Sequence, residues 1–193
     1  MRYDYVMSIE DLYKTNQTIF NMNDLALIWS LSEKTKVQDR ARYYAKTGKL
    51  INLKRGLYAL SKDYEYFELA SKLSNPSYIS LETVLAAEGL VFQSYETIFS
   101  VAFKNSSFQL EGRDYVFKQV KKSIISDTRG LVNKNNYWIA DKERAFLDVL
   151  YLYKDYHFDN LLSINWDYAF ELVELYENKA MLERLKEYKF NYA

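Results

Sequence analysis

The chain has 193 residues, 26 Lys/Arg against 26 Asp/Glu, 49% hydrophobic residues and no cysteine. That length supports a hydrophobic core in one large domain or two small ones. The missing cysteine excludes disulfides, thiolate nucleophiles and Cys-ligated zinc, and it fits a reducing cytoplasm.

No stretch approaches the ~18 apolar residues that a membrane helix needs. The opening residues, MRYDYVMSIEDLY, lack the apolar core of a signal peptide. A soluble, cytoplasmic protein with no membrane partner is expected. One proline and five glycines leave little room for a disordered linker. The 19 tyrosines suit half-buried core edges and contact surfaces equally.

Net charge is zero but unevenly spread. Residues 1–60 hold ten Lys/Arg against six Asp/Glu, and residues 33–55 hold eight against two. Residues 141–193 hold seven against eleven. A basic focus in a neutral chain is an electrostatic footprint for phosphate.

In chain order, Ser8 caps a short helix through Ile9, Leu12 and Tyr13, and Thr18, Ile19 and Phe20 form a brief extended piece. Asn21 or Asn23 caps a second helix carrying Leu25, Ala26, Ile28 and Trp29. Ser32 caps a third helix, from Glu33 to Thr47, which Gly48 stops. Two β-prone runs follow, residues 50–53 and 57–60, joined through Lys54, Arg55 and the turn glycine Gly56. This order is that of a winged helix-turn-helix, assigned to residues 1–62.

On the third helix, Val37, Ala41, Tyr44 and Ala45 form one apolar stripe. Advancing about 100° per residue places Thr35, Lys36, Asp39, Arg42, Tyr43 and Lys46 on the opposite face, with Gln38 and Arg40 at its flanks. Such a face, with Lys54 and Arg55 at the hairpin tip, has the donors and cations that a helix entering the major groove of double-stranded DNA requires. A solvated helix face has the same composition; the helix order and the glycine-tipped hairpin favour DNA. Asp39 counts against it unless the carboxylate accepts from a cytosine amino group.

Residues 63–193 read as a C-terminal α+β domain with a small antiparallel sheet and terminal helices, so the fold class is α+β throughout. Helices are expected over residues 64–73 and 81–88, and strands over 97–103, 107–110, 115–120 and 137–139. Asp141 caps a long amphipathic helix ending near residue 156, and helices follow over 166–177 and 179–188.

Motifs for catalysis are missing: no phosphate-binding glycine loop, no HExxH and no GxSxG. No catalytic residue, metal or cofactor is expected. The one histidine, His157, reads as a helix-end cation or a half-buried ring. Asp141, Glu143 and Asp148 offer a carboxylate cluster that a Mg²⁺-assisted nuclease could use. The same residues suit an ordinary helix start, with an N-cap and an Arg144–Asp148 pair at i, i+4. Tyr151, Tyr153 and Tyr156 read as core edge, with a partner surface as the alternative.

Three segments together resemble the AbiEi family of antitoxins from type IV, abortive-infection toxin–antitoxin systems. They are LINLKRGLYAL (50–60), YISLETVLAAEGL (78–90) and IADKERAFLDVLY (139–151). The match points to Arg55, Gly56 and Tyr58 in the wing and to Glu143, Arg144 and Asp148 in the helix. The resemblance implies an autorepressor that binds inverted repeats in its operator and neutralises a cognate nucleotidyltransferase-like toxin. A partner-binding regulator that uses its winged helix for protein contacts, and a stand-alone transcriptional regulator, are the alternatives.

Overall fold

The computed structural model describes residues 8–93 and 96–192; the first seven residues, part of the opening read above for a signal peptide, lie outside them. Contacts divide the chain into two units, Met1–Leu73 and Ser74–Ala193. Both mix helix and strand. No helix among the described residues is long and apolar enough to cross a membrane.

The first unit runs α1 (Glu10–Tyr13), β1 (Ile19–Asn21), α2 (Met22–Ile28), α3 (Lys34–Lys46), β2 (Ile51–Lys54), β3 (Leu57–Ala59) and α4 (Tyr66–Leu73). Of the two asparagines able to start α2, Asn21 is the cap. Its Oδ1 accepts from the Asn23 and Asp24 amides, and Asp24 Oδ2 accepts from the Asn21 amide at 2.8 Å. The two orphan ends thus satisfy each other.

Ser32 is not the cap of α3. The N-cap is Glu33, without a side-chain hydrogen bond, so Ser32 lies one residue too early to reach the first free amides. The C-terminus follows the expectation: the Gly48 amide donates to Ala45 O and the Lys49 amide to Tyr44 O, closing the last turn.

β3 lies between β1 and β2 in an antiparallel sheet, with a bulge between Asn52 and Lys54. The core beneath gathers Leu12, Phe20, Leu25, Trp29, Val37 and Tyr58. Buried Glu68 on α4 accepts from both the amide and hydroxyl of Thr18, and Lys72 pairs with Asp24 at 2.8 Å. These bonds tie α4 to the first unit, whose boundary therefore follows Leu73, while the sequence suggests a break at residue 62.

The second unit contains β4 (Ser77–Ile79), α5 (Glu82–Ala87), β5 (Ile98–Ala102), β6 (Ser106–Leu110), β7 (Arg113–Gln119), α6 (Lys122–Ser126), β8 (Leu131–Asn133) and β9 (Trp138–Ala140). Then come α7 (Lys142–Leu152), α8 (Trp166–Leu172), a 3-10 turn (Val173–Tyr176) and α9 (Lys179–Tyr192). The sheet is larger than the small antiparallel one expected, and it is mixed. Its order is β6-β7-β5-β4-β9-β8, with β4 parallel to β9 and β5 parallel to β7. The extra size comes from β4 and β8, three-residue strands absent from the sequence reading, and the mixed character comes from the parallel pairings β4–β9 and β5–β7. β4 lies between β5 and β9 and joins the two halves into one sheet.

α7 also departs from its expected amphipathic form. Every residue from Glu143 to Leu150 is buried, as in a helix enclosed on all sides. It ends at Leu152, where Tyr153 takes an extended conformation.

The chain passes close to α7 at Gly130, which has φ +72°. A Cβ placed there would lie 2.8 Å from Arg144 Cβ. Gly130→Ala is expected to cost about 2–4 kcal/mol, from left-handed strain and overpacking together. Gly48→Ala, at the same φ with open space around it, should cost only about 1–2 kcal/mol. Urea midpoints of the two variants measure the difference.

Candidate functional site

α3 is oriented by the stripe it buries. Val37 and Ala41 enter the core, with Tyr44 and Ala45 half-buried beside them. The other face is consequently turned outward: Thr35, Lys36, Asp39, Arg42, Tyr43 and Lys46 are all exposed. Gln38 and Arg40 are half-buried at the margins. The guanidinium of Arg40 lies 5.5 Å from the centroid of the Trp29 ring, so this residue leans onto α2.

Two cations of the face meet carboxylates of their own turn. Lys36 Nζ donates to Glu33 Oε1 at 2.7 Å, and Arg42 Nη1 lies 3.6 Å from Asp39 Oδ1. Both pairs are solvent-exposed, where such contacts are weak and easily exchanged. Lys34, Lys46 and Arg55 have no ion-paired partner among the described residues.

Beside α3 lies an open groove of about 490 Å³. Lys34, Gln38 and Arg42, spaced one helical turn apart, form one wall, and Asn52, Arg55 and Tyr58 of the β2–β3 hairpin form the other. Gly56 makes the turn at φ +78°, and a Cβ there would press on Met22 Cγ at 3.3 Å. Lys54 and Arg55 are exposed at the turn, whereas Tyr58 is a core residue with one edge in the groove.

The sequence reading singles out neither Lys34 nor Asn52. The i, i+4, i+8 spacing of Lys34, Gln38 and Arg42 is the signal that finds the first. Asn52 requires the strand register, which sets it opposite Tyr58.

Arg144 and Asp148 occupy a different setting. Both side chains are 0% exposed, with Arg144 Nε 3.7 Å from Asp148 Oδ1. The guanidinium donates to Arg129 O at 2.8 Å, Ile124 O at 2.7 Å and the Tyr78 hydroxyl at 3.3 Å. It lies 5.3 Å from the Tyr78 ring centroid and 5.6 Å from that of Tyr176. Asp148 accepts from the hydroxyls of Tyr78 at 3.0 Å, Ser80 at 2.7 Å and Tyr176 at 2.7 Å.

Burial pushes the Asp148 carboxyl above its usual range, against the pull of Arg144 and the three hydroxyls. Burial and the neighbouring Asp148 also raise Tyr78 and Tyr176 well above their ordinary values, which keeps both protonated as donors. Burial opposes the charge on Arg144, while the Asp148 carboxylate and the hydrogen bond to Tyr78 favour it, and its pKa stays above normal.

The remaining carboxylates point elsewhere. Asp141 caps α7 by accepting from the Arg144 amide, and Glu143 accepts from the Asn165 amide at 2.9 Å. Among the described residues no three His, Cys, Asp or Glu side chains converge to hold a metal ion. His157 is exposed, with Nε2 3.7 Å from Asp159. Tyr151 packs on Tyr176 and Tyr153 on Tyr156, so these tyrosines form a half-buried core edge.

Compared with known proteins, the chain matches no protein-family model and no curated protein.

Asp148→Ala strips the buried guanidinium of its counter-charge and is expected to cost about 3–5 kcal/mol, read as a lower urea midpoint. The double replacement Arg144→Met, Asp148→Leu should recover much of that loss. An Asp148→Ala protein as stable as the wild type would contradict a structural role for the pair.

Proposed function

We propose that this protein is a sequence-specific DNA-binding repressor and that its first unit is a winged helix-turn-helix. The observation that carries the reading is the polar groove between α3 and the β2–β3 hairpin, walled by Lys34, Gln38, Arg42 and Arg55. Three cations, an amide and a second amide on Asn52 supply the donors needed for phosphate oxygens and purine edges. The order helix, strand, helix, helix, strand, turn, strand supports the same reading.

In this reading α3 enters the major groove and the Lys54–Arg55 turn follows the adjacent backbone. Charge is modest in the first unit, so binding depends on specific contacts and on more than one copy at an operator of inverted repeats. The resemblance to AbiEi antitoxins extends the proposal to a cytoplasmic antitoxin that represses its own operon. Its target would be a nucleotidyltransferase-like toxin encoded beside it, with the second unit responsible for neutralisation.

Mobility shifts of the full chain on duplex DNA from upstream of its own coding sequence test the first part. A shift at nanomolar to micromolar protein that weakens steeply between 50 and 200 mM salt is expected. Arg42→Ala should cost about 1–3 kcal/mol if the side chain reads guanine. Lys34→Ala should weaken binding to all sequences alike and lower the salt slope by about one. No salt-sensitive shift would remove the DNA reading. Co-expression with a neighbouring nucleotidyltransferase-like gene tests the second part: growth should be rescued by the full chain.

A further inference from the structure

The exposed face of α3 carries a feature that plain phosphate binding does not explain. Asp39 lies on the same face as Arg42 and Tyr43, is exposed, and stands 3.6 Å from the Arg42 guanidinium. A carboxylate there repels every phosphate that approaches. It also pairs, weakly and exchangeably, with one of the three groove cations.

We infer that Asp39 is a specificity-determining residue, which couples Arg42 to a G·C pair and penalises DNA that lacks one at that position. The inference rests on the DNA reading above. Arg42 donates to guanine O6 and N7, and Asp39 accepts from a cytosine N4 amino group. At such a site both members of the ion pair keep an opposite or hydrogen-bonding partner when water leaves the interface. At any other site Arg42 must leave Asp39 for a phosphate, and the carboxylate is desolvated without a donor.

The adjoining charges fit this division. Lys34 and Arg55 line the same groove without an ion-paired partner among the described residues, and Lys46 is likewise unpaired on the same helix. These three supply attraction that does not depend on sequence. Arg42 is the groove cation whose attraction is conditional. Lys36 and Glu33 repeat the arrangement at the start of α3, but neither lines the groove, whereas Arg42 of the second pair does, so the sequence-reading role falls to Arg42 with Asp39 beside it.

The test is selection from a randomised duplex library by the full-length wild type and Asp39→Asn, followed by titration of the selected and a scrambled duplex at several salt concentrations. Asp39 is exposed and outside the core, so the variant folds; circular dichroism and thermal midpoints verify this. In Asp39→Asn the preference for G·C at one position should fall roughly tenfold. Scrambled DNA should bind several-fold tighter, with a salt slope steeper by about one, because Arg42 is released to a phosphate. Asp39→Glu, which retains the charge, should keep the shallow slope.

Identical selected sequences and unchanged slopes for wild type and Asp39→Asn would overturn the inference while leaving DNA binding intact. If the wild type itself selects no duplex, the DNA reading fails and the inference fails with it.

Discussion

Arg144 carries a full charge into the interior of the second unit, and an ion taken out of water costs several kcal/mol unless its donors are met. The partners come from widely separated parts of the chain: Tyr78 on β4, the Ile124 carbonyl on α6, the Arg129 carbonyl before β8 and Asp148 one turn along α7. Asp148 in turn needs Tyr78, Ser80 and Tyr176. Any rearrangement that separates these elements strands a charge in an apolar interior. The mixed sheet, the buried helix and the 3-10 turn are therefore held to one relative arrangement. Gly130 belongs to the same constraint, since only a residue without a side chain lets the chain pass Arg144 closely enough for its neighbour's carbonyl to accept.

The first unit handles charge in the opposite way. Its groove cations, Lys34, Arg42 and Arg55, are exposed to water on α3 and at the hairpin turn. What holds them in place is apolar: Val37 and Ala41 seat the helix, and Tyr58 seats the strand behind the turn. The groove walls are then a helix and a hairpin seated by the core, with exposed charged tips. That arrangement is the physical basis of the proposed DNA reading, because the scaffold does not have to change when the tips are engaged.

The local elements were legible in chain order. The outward face of α3 follows from its apolar stripe, and Gly48 marks where the helix ends. The sequence offers Asn21 or Asn23 as the cap of α2, and the reciprocal bonds between Asn21 and Asp24 decide for Asn21. Each depends on residues within one or two turns of each other. β4 and β8 were not legible, and neither were the parallel pairings of β4 with β9 and of β5 with β7, which join residues far apart in the chain. Arg40 sits at the flank of the outward side, as its angle around the helix gives, and its guanidinium also lies 5.5 Å from the Trp29 ring centroid. Angle alone does not include the neighbour.

The sequence by itself determined which face of α3 turns outward, that Gly48 closes that helix and where the hairpin turns. These are settled by backbone geometry, capping and period within short windows. Only the tertiary structure decided that Arg144 and Asp148 are buried. An arginine four residues before an aspartate reads identically on a solvated helix, and their burial depends on what Tyr78, Ser80 and Tyr176 bring from elsewhere. It likewise decided that Asn52 completes the groove that Lys34, Gln38 and Arg42 begin, since proximity across two elements is a property of packing and not of spacing along the chain.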